Sequence, residues 1–443
     1  MATNDPSAES ALDAGERIHR LARRLWPLNR SISGPGLRET LLVIKELLPE
    51  LRLIEVPSGR KVLDWTVPDE WEISSGWLED PQGRRIVDFA ANNLHVVGYS
   101  TGIDRTLSLN ELQPHLHSLP DQPDAVPYVT SYYARTWGFC LSHRTRQALV
   151  PGTYRARIEA RHFPGSITLG ELLLPGRTDE EVLLSTYCCH PSMANNELSG
   201  PCVTAHLAHW LRQRPERRCT YRILFVPEMI GSIAYLHEHA AEMRARTVAG
   251  FNLTCVGDER AWSLLPSRNG RTLADRIARH VLRHRVGPFR EHGWSERGSD
   301  ESNYCAPGID LPVASVLRSK YGTYPEYHTS LDDLERVVTP RGLGESFEVY
   351  RTMIEAIERE CRPRTRVLGE PQLGPRGLYP SLSTKGSSAG VRPLLDLLSL
   401  ADGTNSLLDI AERCDRPVWE LYGPLDTLVA HGLIDAEPAE DRR

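Results

Sequence analysis

The hydrophobic pattern of the second half of the chain alternates between short apolar runs and longer amphipathic segments. Positions 182–187 and 221–226 are apolar runs of strand length, and the segments at 202–212 and 231–245 that follow them have apolar residues at helical spacing. This alternation predicts an α/β fold with a mostly parallel mixed sheet and helices on both faces. Further strands are predicted at 154–160, 166–174, 250–256 and 312–316, and further helices at 272–283 and 339–360.

The first part of the chain divides into two zones. Positions 1–60 hold two amphipathic helices and a first strand, which we assign to the α/β core of positions 151–362. Positions 61–150 hold short β-like runs separated by Pro, Gly and Asp turns, which predicts an inserted β-rich subdomain. Its many aromatic residues are expected to pack a core rather than to form a ligand cage.

The C-terminal part predicts a small appended module. Positions 363–390 are rich in Pro, Gly and Ser, as is typical of a surface linker. Positions 391–443 then hold three short helices and a terminal strand, a pattern similar to a winged helix. Because this module carries 11 acidic and 5 basic side chains, it would repel a phosphate backbone, and we expect a packing or dimerisation role.

Composition excludes several classes of partner. The net charge of −6 argues against a nucleic-acid partner bound through a basic face. No apolar run reaches the about 18 residues of a membrane-spanning helix, so no membrane partner is expected. The nine cysteines form no CxxC pairs and no apolar leader precedes them, which indicates reduced thiols and a cytoplasmic location. The C-terminal module and the β-rich insertion are candidate contacts of a homo-oligomer.

Imidazoles and carboxylates follow several predicted strands, at the positions where open α/β sheets build their sites. His190 follows the strand at 182–187, Glu228 follows the strand at 221–226, and Asp258 and His328 come after later strands. Each residue alone could equally be a helix N-cap or a loop histidine. Together they suit a catalytic zinc ion with an open coordination position.

Several longer motifs resemble a known family. The order of His190, the Ala194-to-Gly200 segment, Glu228, Asp258, the Ser299-to-Glu301 segment and His328 is similar to that of the zinc aminopeptidase superfamily, which includes bacterial leucyl and vacuolar aminopeptidases. A closer resemblance is to an aminopeptidase-like family often found near polysaccharide or specialised-metabolite genes, and it spans roughly residues 15–440. The motifs that carry it are CHPSMANNELSGP, PEMIGSIAYL, RGSDESNYCAPGIDLP, YPEYHTSLDDL, PDAVPYVTSYY and WGFCLS.

The resemblance implies a zinc site with departures from the superfamily pattern. His190 and His328 match the zinc-ligating histidines, Asp258 matches a carboxylate ligand, and Glu228 falls in the segment of the general base. Asn196 stands where a bridging aspartate holds two zinc ions, and a neutral amide cannot offset the repulsion between two dications. We therefore expect one zinc ion, with Glu197 as a further charged ligand.

The hypothesis is metal-assisted hydrolysis of a peptide-like, amide or glycan-related substrate, with Glu228 as the general base. Two alternatives stay open: a protein that only binds its ligand, and an enzyme that processes acyl or amide groups of a carrier-bound or glycosylated intermediate. Residues expected to contact the substrate are Asp300 and Glu301, for an ammonium group, and Arg318, Tyr321, Tyr324, Tyr327 and Asn196, for a carboxylate, an amide or sugar hydroxyls.

Overall fold

Two amphipathic helices begin the described chain in this computed structural model, which describes residues 11–378 and 391–438. Helix α1 (Ala11–Leu25) buries Ile18 and Leu25, and helix α2 (Pro35–Leu47) buries Leu37 and Leu41. Both helices lie where the helical spacing of apolar residues predicts them. They lead into strand β1 (Arg52–Pro57).

The predicted β-rich insertion forms a sheet of its own, and this sheet extends beyond position 150, because the strand predicted at 154–160 for the α/β core pairs with strands of the insertion instead. Strands β4, β5, β6 and β9 pair antiparallel in the order β5-β4-β9-β6 around buried residues such as Leu78 and Tyr154. Trp71, Trp77 and Trp137 are also buried, as expected for core packing. The elements of this region are β2 (Lys61–Val62), β3 (Trp65–Thr66), β4 (Glu70–Glu79), β5 (Arg85–Asp88), β6 (Ile103–Ser108), α3 (Leu109–Leu112), β7 (Leu116–His117), β8 (Phe139–Cys140), α4 (His143–Gln147) and β9 (Thr153–Phe163).

Residues 166–358, most of which belong to the larger of two compact units, have the predicted alternation of strands and helices. Strand β11 is buried along its whole length, because neighbours and helices cover both of its faces. The elements are β10 (Ser166–Leu174), β11 (Glu181–Tyr187), α5 (Ser199–Arg212), β12 (Thr220–Val226), α6 (Ile230–Arg246), β13 (Thr247–Asn252), β14 (Ser263–Leu265), α7 (Leu273–Val281), β15 (Arg290–Glu291), α8 (Glu301–Tyr304), β16 (Val313–Leu317) and α9 (Pro340–Glu358).

An eight-stranded mixed sheet organises this unit. Its order is β1-β10-β12-β11-β13-β16-β14-β15. The four central strands, from β12 to β16, run parallel, whereas β1, β10 and β14 add antiparallel pairs toward the two edges. The mixed α/β sheet predicted from the sequence is therefore confirmed. Because the central strands are parallel, the loops after β11, β12, β13 and β16 leave from the same edge of the sheet.

The described chain separates into two compact units. The larger contains residues 11–274 and 290–348, and the smaller contains residues 275–289, 349–378 and 391–438. In the smaller unit, β17 (Cys361–Thr365) pairs antiparallel with β18 (Ile434–Pro438). The winged-helix pattern is completed by α10 (Arg392–Leu400), α11 (Leu407–Arg413), a 3₁₀ turn (Val418–Leu421) and α12 (Tyr422–Ala430).

The predicted linker at 363–390 begins inside strand β17, and its positions 379–390 lie outside the described residues. The edge of β17 that faces away from β18 is also partly paired, because Arg364 forms an antiparallel bridge with Asp402 and the Thr365 N–H donates to the Ala401 carbonyl oxygen. Among the residues that the structure describes, no helix is long and apolar enough to cross a membrane.

Candidate active site

His190 stands just beyond strand β11, and its two ring nitrogens face different partners. Its Nδ1 atom lies 2.7 Å from Glu197 Oε2 and 3.4 Å from Cys189 Sγ. Its Nε2 atom lies 3.5 Å from Glu228 Oε2. A carboxylate on Nδ1 fixes that nitrogen as the N–H donor, which leaves the lone pair on Nε2. His190 is therefore oriented as a ligand through Nε2.

The second predicted histidine lies beside the first. The ring centroids of His190 and His328 are 5.6 Å apart, and two imidazoles bound to one tetrahedral zinc ion would have centroids roughly 5 Å apart. His328 has a left-handed backbone conformation, with φ of 55°, and its ring stacks on Tyr327 at 3.8 Å. Such a backbone conformation in a residue with a side chain is typical of functional sites.

Glu228 follows strand β12 directly and is held in place from two sides. Its Oε1 atom accepts a hydrogen bond from Ser299 Oγ at 2.8 Å, and its backbone N–H donates to Cys189 Sγ. Burial raises the pKa of the Glu228 carboxyl, and the neighbouring His190 partly opposes this rise. A raised pKa suits a general base, because the carboxylate then holds a transferred proton more readily.

The motif after His190 forms a buried π-helical turn, Ala194–Leu198, that leads into α5. Asp332 accepts hydrogen bonds from the backbone N–H groups of Asn195 and Asn196 and so holds this turn. Gly200 starts α5 against β13, where an added Cβ would lie only 2.2 Å from the carbonyl oxygen of Leu253. π-helical turns are rare in proteins and are frequently found at functional sites.

Two buried acceptor atoms in this turn have no hydrogen-bond partner among the described residues. They are Asn196 Oδ1 and Glu197 Oε1. The Asn196 amide is oriented by its Nδ2, which donates to Tyr187 Oη at 2.7 Å. A buried oxygen without a donor is costly unless a cation, a ligand or water meets it. Imidazole nitrogens and oxygen atoms are both donor types that zinc accepts, so the chemistry of these residues is compatible with a zinc ion.

Several predicted site residues are occupied by contacts within the fold. Both carboxylate oxygens of Asp258 accept hydrogen bonds, from Asn195 Nδ2, the Arg260 and Ser319 backbone N–H groups and Ser319 Oγ. Glu301 likewise accepts from Gly298 N–H, Ser299 N–H, Tyr321 Oη and Asn252 Nδ2. The structure does not bring either carboxylate to His190 as a free ligand.

Of the other residues predicted to contact the substrate, two are engaged within the fold and one has an oxygen that receives no hydrogen bond from the described residues. Arg318 donates to Glu345 and stacks over Trp262 at 4.2 Å, and Tyr324 donates to Asp332. Asp300 accepts from Met229 N–H and Ser232 Oγ through one oxygen, and its Oδ2 has no partner among the described residues. Burial and the Glu228 charge raise the pKa of Asp300 to about 8.

Sequence reasoning missed four residues around the two histidines. Arg30 is buried and donates from Nε to the His190 carbonyl oxygen at 3.0 Å. Ser299 holds Glu228, and Tyr128 and Tyr132 come from the β-rich insertion. The motif PDAVPYVTSYY contained both tyrosines, but the aromatic residues of that zone were expected to pack a core. Nothing in the sequence pattern marks Arg30.

The fold is shared with known aminopeptidases. A zinc aminopeptidase from Bacillus subtilis, BSAP, superimposes with a TM-score of 0.57 at 13% sequence identity, covering 78% of this chain and 94% of that chain. A provisionally assigned peptidase from Clostridium acetobutylicum superimposes with a TM-score of 0.91 at 36% identity, covering 96% of this chain and 97% of that chain. The large unit therefore has an aminopeptidase-like α/β fold.

The sequence comparisons agree with this class. Residues 19–360 match the family described as a domain of unknown function (DUF4910), and residues 361–436 match a winged helix-turn-helix family. A Clostridium acetobutylicum protein provisionally named polysaccharide biosynthesis protein with aminopeptidase-like domain is 38% identical over 433 residues, covering 96% of this chain and 98% of its own. The chain belongs to the DUF4910 family, and the resemblance inferred from its motifs is confirmed.

Proposed function

We propose that the protein is a zinc-dependent hydrolase of amide or peptide bonds, with Glu228 as its general base. The observation that carries the proposal is the meeting of two imidazoles from distant parts of the sequence, with ring centroids 5.6 Å apart and Glu228 beside them. Histidine pairs with an adjacent carboxylate are typical of catalytic zinc sites.

The zinc ion would be held by His190 Nε2, by His328 and by the partnerless Oδ1 atom of Asn196. Glu197 serves as the positioning carboxylate of His190, since its Oε2 is on the Nδ1 side of the ring. Asn196 does not carry the negative charge that a second dication needs, which favours a single ion. Bound zinc supplies Lewis acidity that lowers the pKa of a water molecule toward about 7.

Glu228 supplies the proton transfer. Its Oε2 faces the metal side of His190, and Ser299 holds the other oxygen, so the carboxylate is fixed beside the reacting water. Glu228 takes the proton of that water and later delivers it to the leaving amine. A positioned general base of this kind contributes roughly 10²–10⁴-fold to the rate.

The substrate is proposed to be a small peptide-like or amide compound, including amides of glycan-related intermediates. The name of the relative combines polysaccharide biosynthesis with an aminopeptidase-like domain, which supports this range. Asp300 Oδ2 has no partner among the described residues, and Asp300 contacts the backbone of Met229 next to Glu228. A substrate ammonium group would favour the ionised form of Asp300, because an opposite charge offsets the effect of burial on its pKa.

The winged-helix module is not proposed to bind nucleic acid. Its excess of acidic side chains, 11 against 5 basic ones, opposes a phosphate backbone. Helix α12 would be the recognition helix of a DNA-binding winged helix, and its Asp426 accepts a hydrogen bond from Arg359. We assign it a structural role or a protein contact.

The test combines metal analysis with turnover. The zinc-loaded protein is assayed on aminoacyl p-nitroanilides and on N-acylated amino sugars, together with Glu228→Gln and, as a control, Glu335→Gln at an exposed position. We expect about one zinc per chain, turnover that a chelator removes, and loss of at least about 10²-fold in kcat for Glu228→Gln with zinc retained. The control variant should match the wild type.

Three results would change the proposal. A purified chain without zinc affinity and unaffected by chelators would make the pocket a binding site only. Turnover restricted to N-acylated sugars would favour the processing of acyl groups over aminopeptidase activity. Loss of zinc in Glu228→Gln would make Glu228 a metal ligand and refute its role as the base.

A further inference from the structure

A segment of the β-rich insertion is bound to the loop that carries His328. The Tyr128 backbone N–H donates to the His328 carbonyl oxygen at 2.9 Å, and the Ser330 N–H donates to the Val126 carbonyl oxygen at 2.9 Å. Pro127 and Thr329 form an antiparallel bridge between these contacts. The position of Tyr128 is therefore fixed relative to His328 by the backbone.

The Tyr128 ring completes a triangle with the two imidazoles. Its centroid lies 5.0 Å from that of His190 and 5.2 Å from that of His328. Its hydroxyl oxygen is 2.7 Å from that of Tyr132, whose ring in turn packs edge-on against Tyr99 at 5.1 Å. The insertion thus places the Tyr128 phenol next to the proposed metal ligands, with the Tyr132 hydroxyl hydrogen-bonded to it.

Within the described part of the chain, one hydroxyl proton of the Tyr128–Tyr132 pair is free for a further hydrogen bond. Two hydroxyl groups carry two protons, and their mutual hydrogen bond uses one of them. Among the described residues neither Tyr128 Oη nor Tyr132 Oη has another hydrogen-bond partner. A phenol is ordinarily protonated near neutral pH, so both groups can donate.

We propose that the Tyr128–Tyr132 hydroxyl pair is a catalytic hydrogen-bond donor, which binds the reacting carbonyl oxygen of the substrate as that oxygen gains negative charge. This inference rests on the amide hydrolysis proposed above. It gives the β-rich insertion a direct part in the reaction, because the large α/β sheet alone does not supply these two hydroxyl groups.

The step balances with the groups already named. The water oxygen bonds to the carbonyl carbon, its proton passes to Glu228, and the C=O π electrons move onto the carbonyl oxygen. That oxygen accepts the spare hydroxyl proton as a hydrogen bond while the pair keeps both of its protons. The C–N bond then breaks as the oxygen electrons return, and Glu228 gives its proton to the leaving amine. A donor aimed at a developing oxyanion contributes about 10²–10³-fold to kcat.

Tyrosine-to-phenylalanine variants test the proposal. Tyr128→Phe, Tyr132→Phe and the double variant remove hydroxyl groups and keep the rings. Tyr133→Phe is the matched control, since its side chain is 67% exposed and its edge contact with Trp65 needs only the ring. Zinc content is measured for each variant, and kcat and KM are measured with the aminoacyl p-nitroanilides. Dissociation constants are measured for leucine and for leucine phosphonic acid, whose tetrahedral anion resembles the oxyanion.

The double variant is expected to lose about 10²–10³-fold in kcat and a similar factor in phosphonate affinity. Its zinc content, its KM and its affinity for leucine should stay within about threefold of the wild type, and the control should match the wild type throughout. Wild-type kcat and phosphonate affinity in the double variant would overturn the proposal, and so would loss of zinc, which would make the tyrosines structural. If the double variant does not fold, the two single variants are judged by the same measurements.

The proposed function fails in a different way. A zinc-loaded wild-type protein that hydrolyses none of these amides would refute amide hydrolysis. The hydroxyl pair would then still be tested by phosphonate binding to the zinc-loaded wild type and the double variant.

Discussion

Glu197 Oε2 lies 2.7 Å from His190 Nδ1, on the side of the ring that faces away from Glu228. This contact orients the imidazole and determines which nitrogen is free for a metal. It also gives Glu197 a role different from that expected of a direct ligand, since one of its oxygens is already engaged by the histidine that it would accompany.

The first prediction concerns this contact. Glu197→Gln removes the charge that supports the Nδ1 proton of His190, so zinc affinity should fall about 10–100-fold while the fold is retained. The measurement is a competition titration with a zinc chelator, with Glu335→Gln as the control. Complete loss of zinc would instead show that Glu197 is itself a ligand, and unchanged affinity would show that the contact does not matter.

Cys189 lies on the Nδ1 side of the His190 ring, with its Sγ atom 3.4 Å from Nδ1. The Cys189, His190 and Glu197 ligand atoms all lie within 4.8 Å of one another, so an ion could in principle sit on the Nδ1 side. Burial raises the pKa of the Cys189 thiol far above neutrality, which favours the protonated thiol, a poor ligand. Cys189→Ala should therefore retain one zinc per chain, as should Cys202→Ala, a control at another buried thiol. A loss of zinc confined to Cys189→Ala would place the metal on the Nδ1 face.

Asn196 offers a test by gain of function. Its Oδ1 has no partner among the described residues, and we propose this oxygen as a zinc ligand. Asn196→Asp adds a negative charge at that oxygen, so zinc affinity should rise by at least about tenfold, because one charge closer to a dication strengthens its binding. Affinity would be read from the same chelator competition. An Asp variant that binds zinc no better than the wild type would remove residue 196 from the ligand set.

The winged-helix unit predicts a pH effect independent of the active site. Burial raises the pKa of Glu360 to about 7, and Glu360 accepts a hydrogen bond from the Leu408 N–H. Because the folded state binds this proton more tightly than the unfolded state, the stabilisation is present below the carboxyl's ordinary pKa and is lost as the pH rises through about 7.

Glu360→Gln should therefore raise the free energy of unfolding at pH 8 by roughly 1–3 kcal/mol and leave it little changed near pH 4. Denaturant unfolding of the full chain at the two pH values measures this, with Glu437→Gln at an exposed position as the control. A variant destabilised equally at both pH values would show that the Glu360 contacts matter more than its proton.

The sequence pattern predicts the sheet and the positions of His190 and Glu228 because these features depend on local signals. Apolar runs of strand length mark β11 and β12, and His190 and Glu228 follow those strands by a few residues. The prediction that His328 lies beside His190 depended on the family resemblance, because the loop of His328 is long and its residue spacing does not fix the direction of the ring.

The sequence pattern could not predict the contacts that Asp258 and Tyr128 make. Asp258 is saturated by Ser319 and Asn195, which come from two other loops, and only the tertiary structure sets that meeting. Tyr128 lies in a zone where aromatic residues such as Trp137 and Phe139 do pack a core, so the composition of the zone gives no signal that one ring faces the site.

The most direct measurement is anomalous scattering at the zinc edge from crystals of the zinc-loaded protein. The proposal predicts one peak per chain, about 2 Å from His190 Nε2 and about 2 Å from a ring nitrogen of His328. Absence of a peak, or a peak on the Nδ1 side of His190 between Cys189 and Glu197, would contradict it.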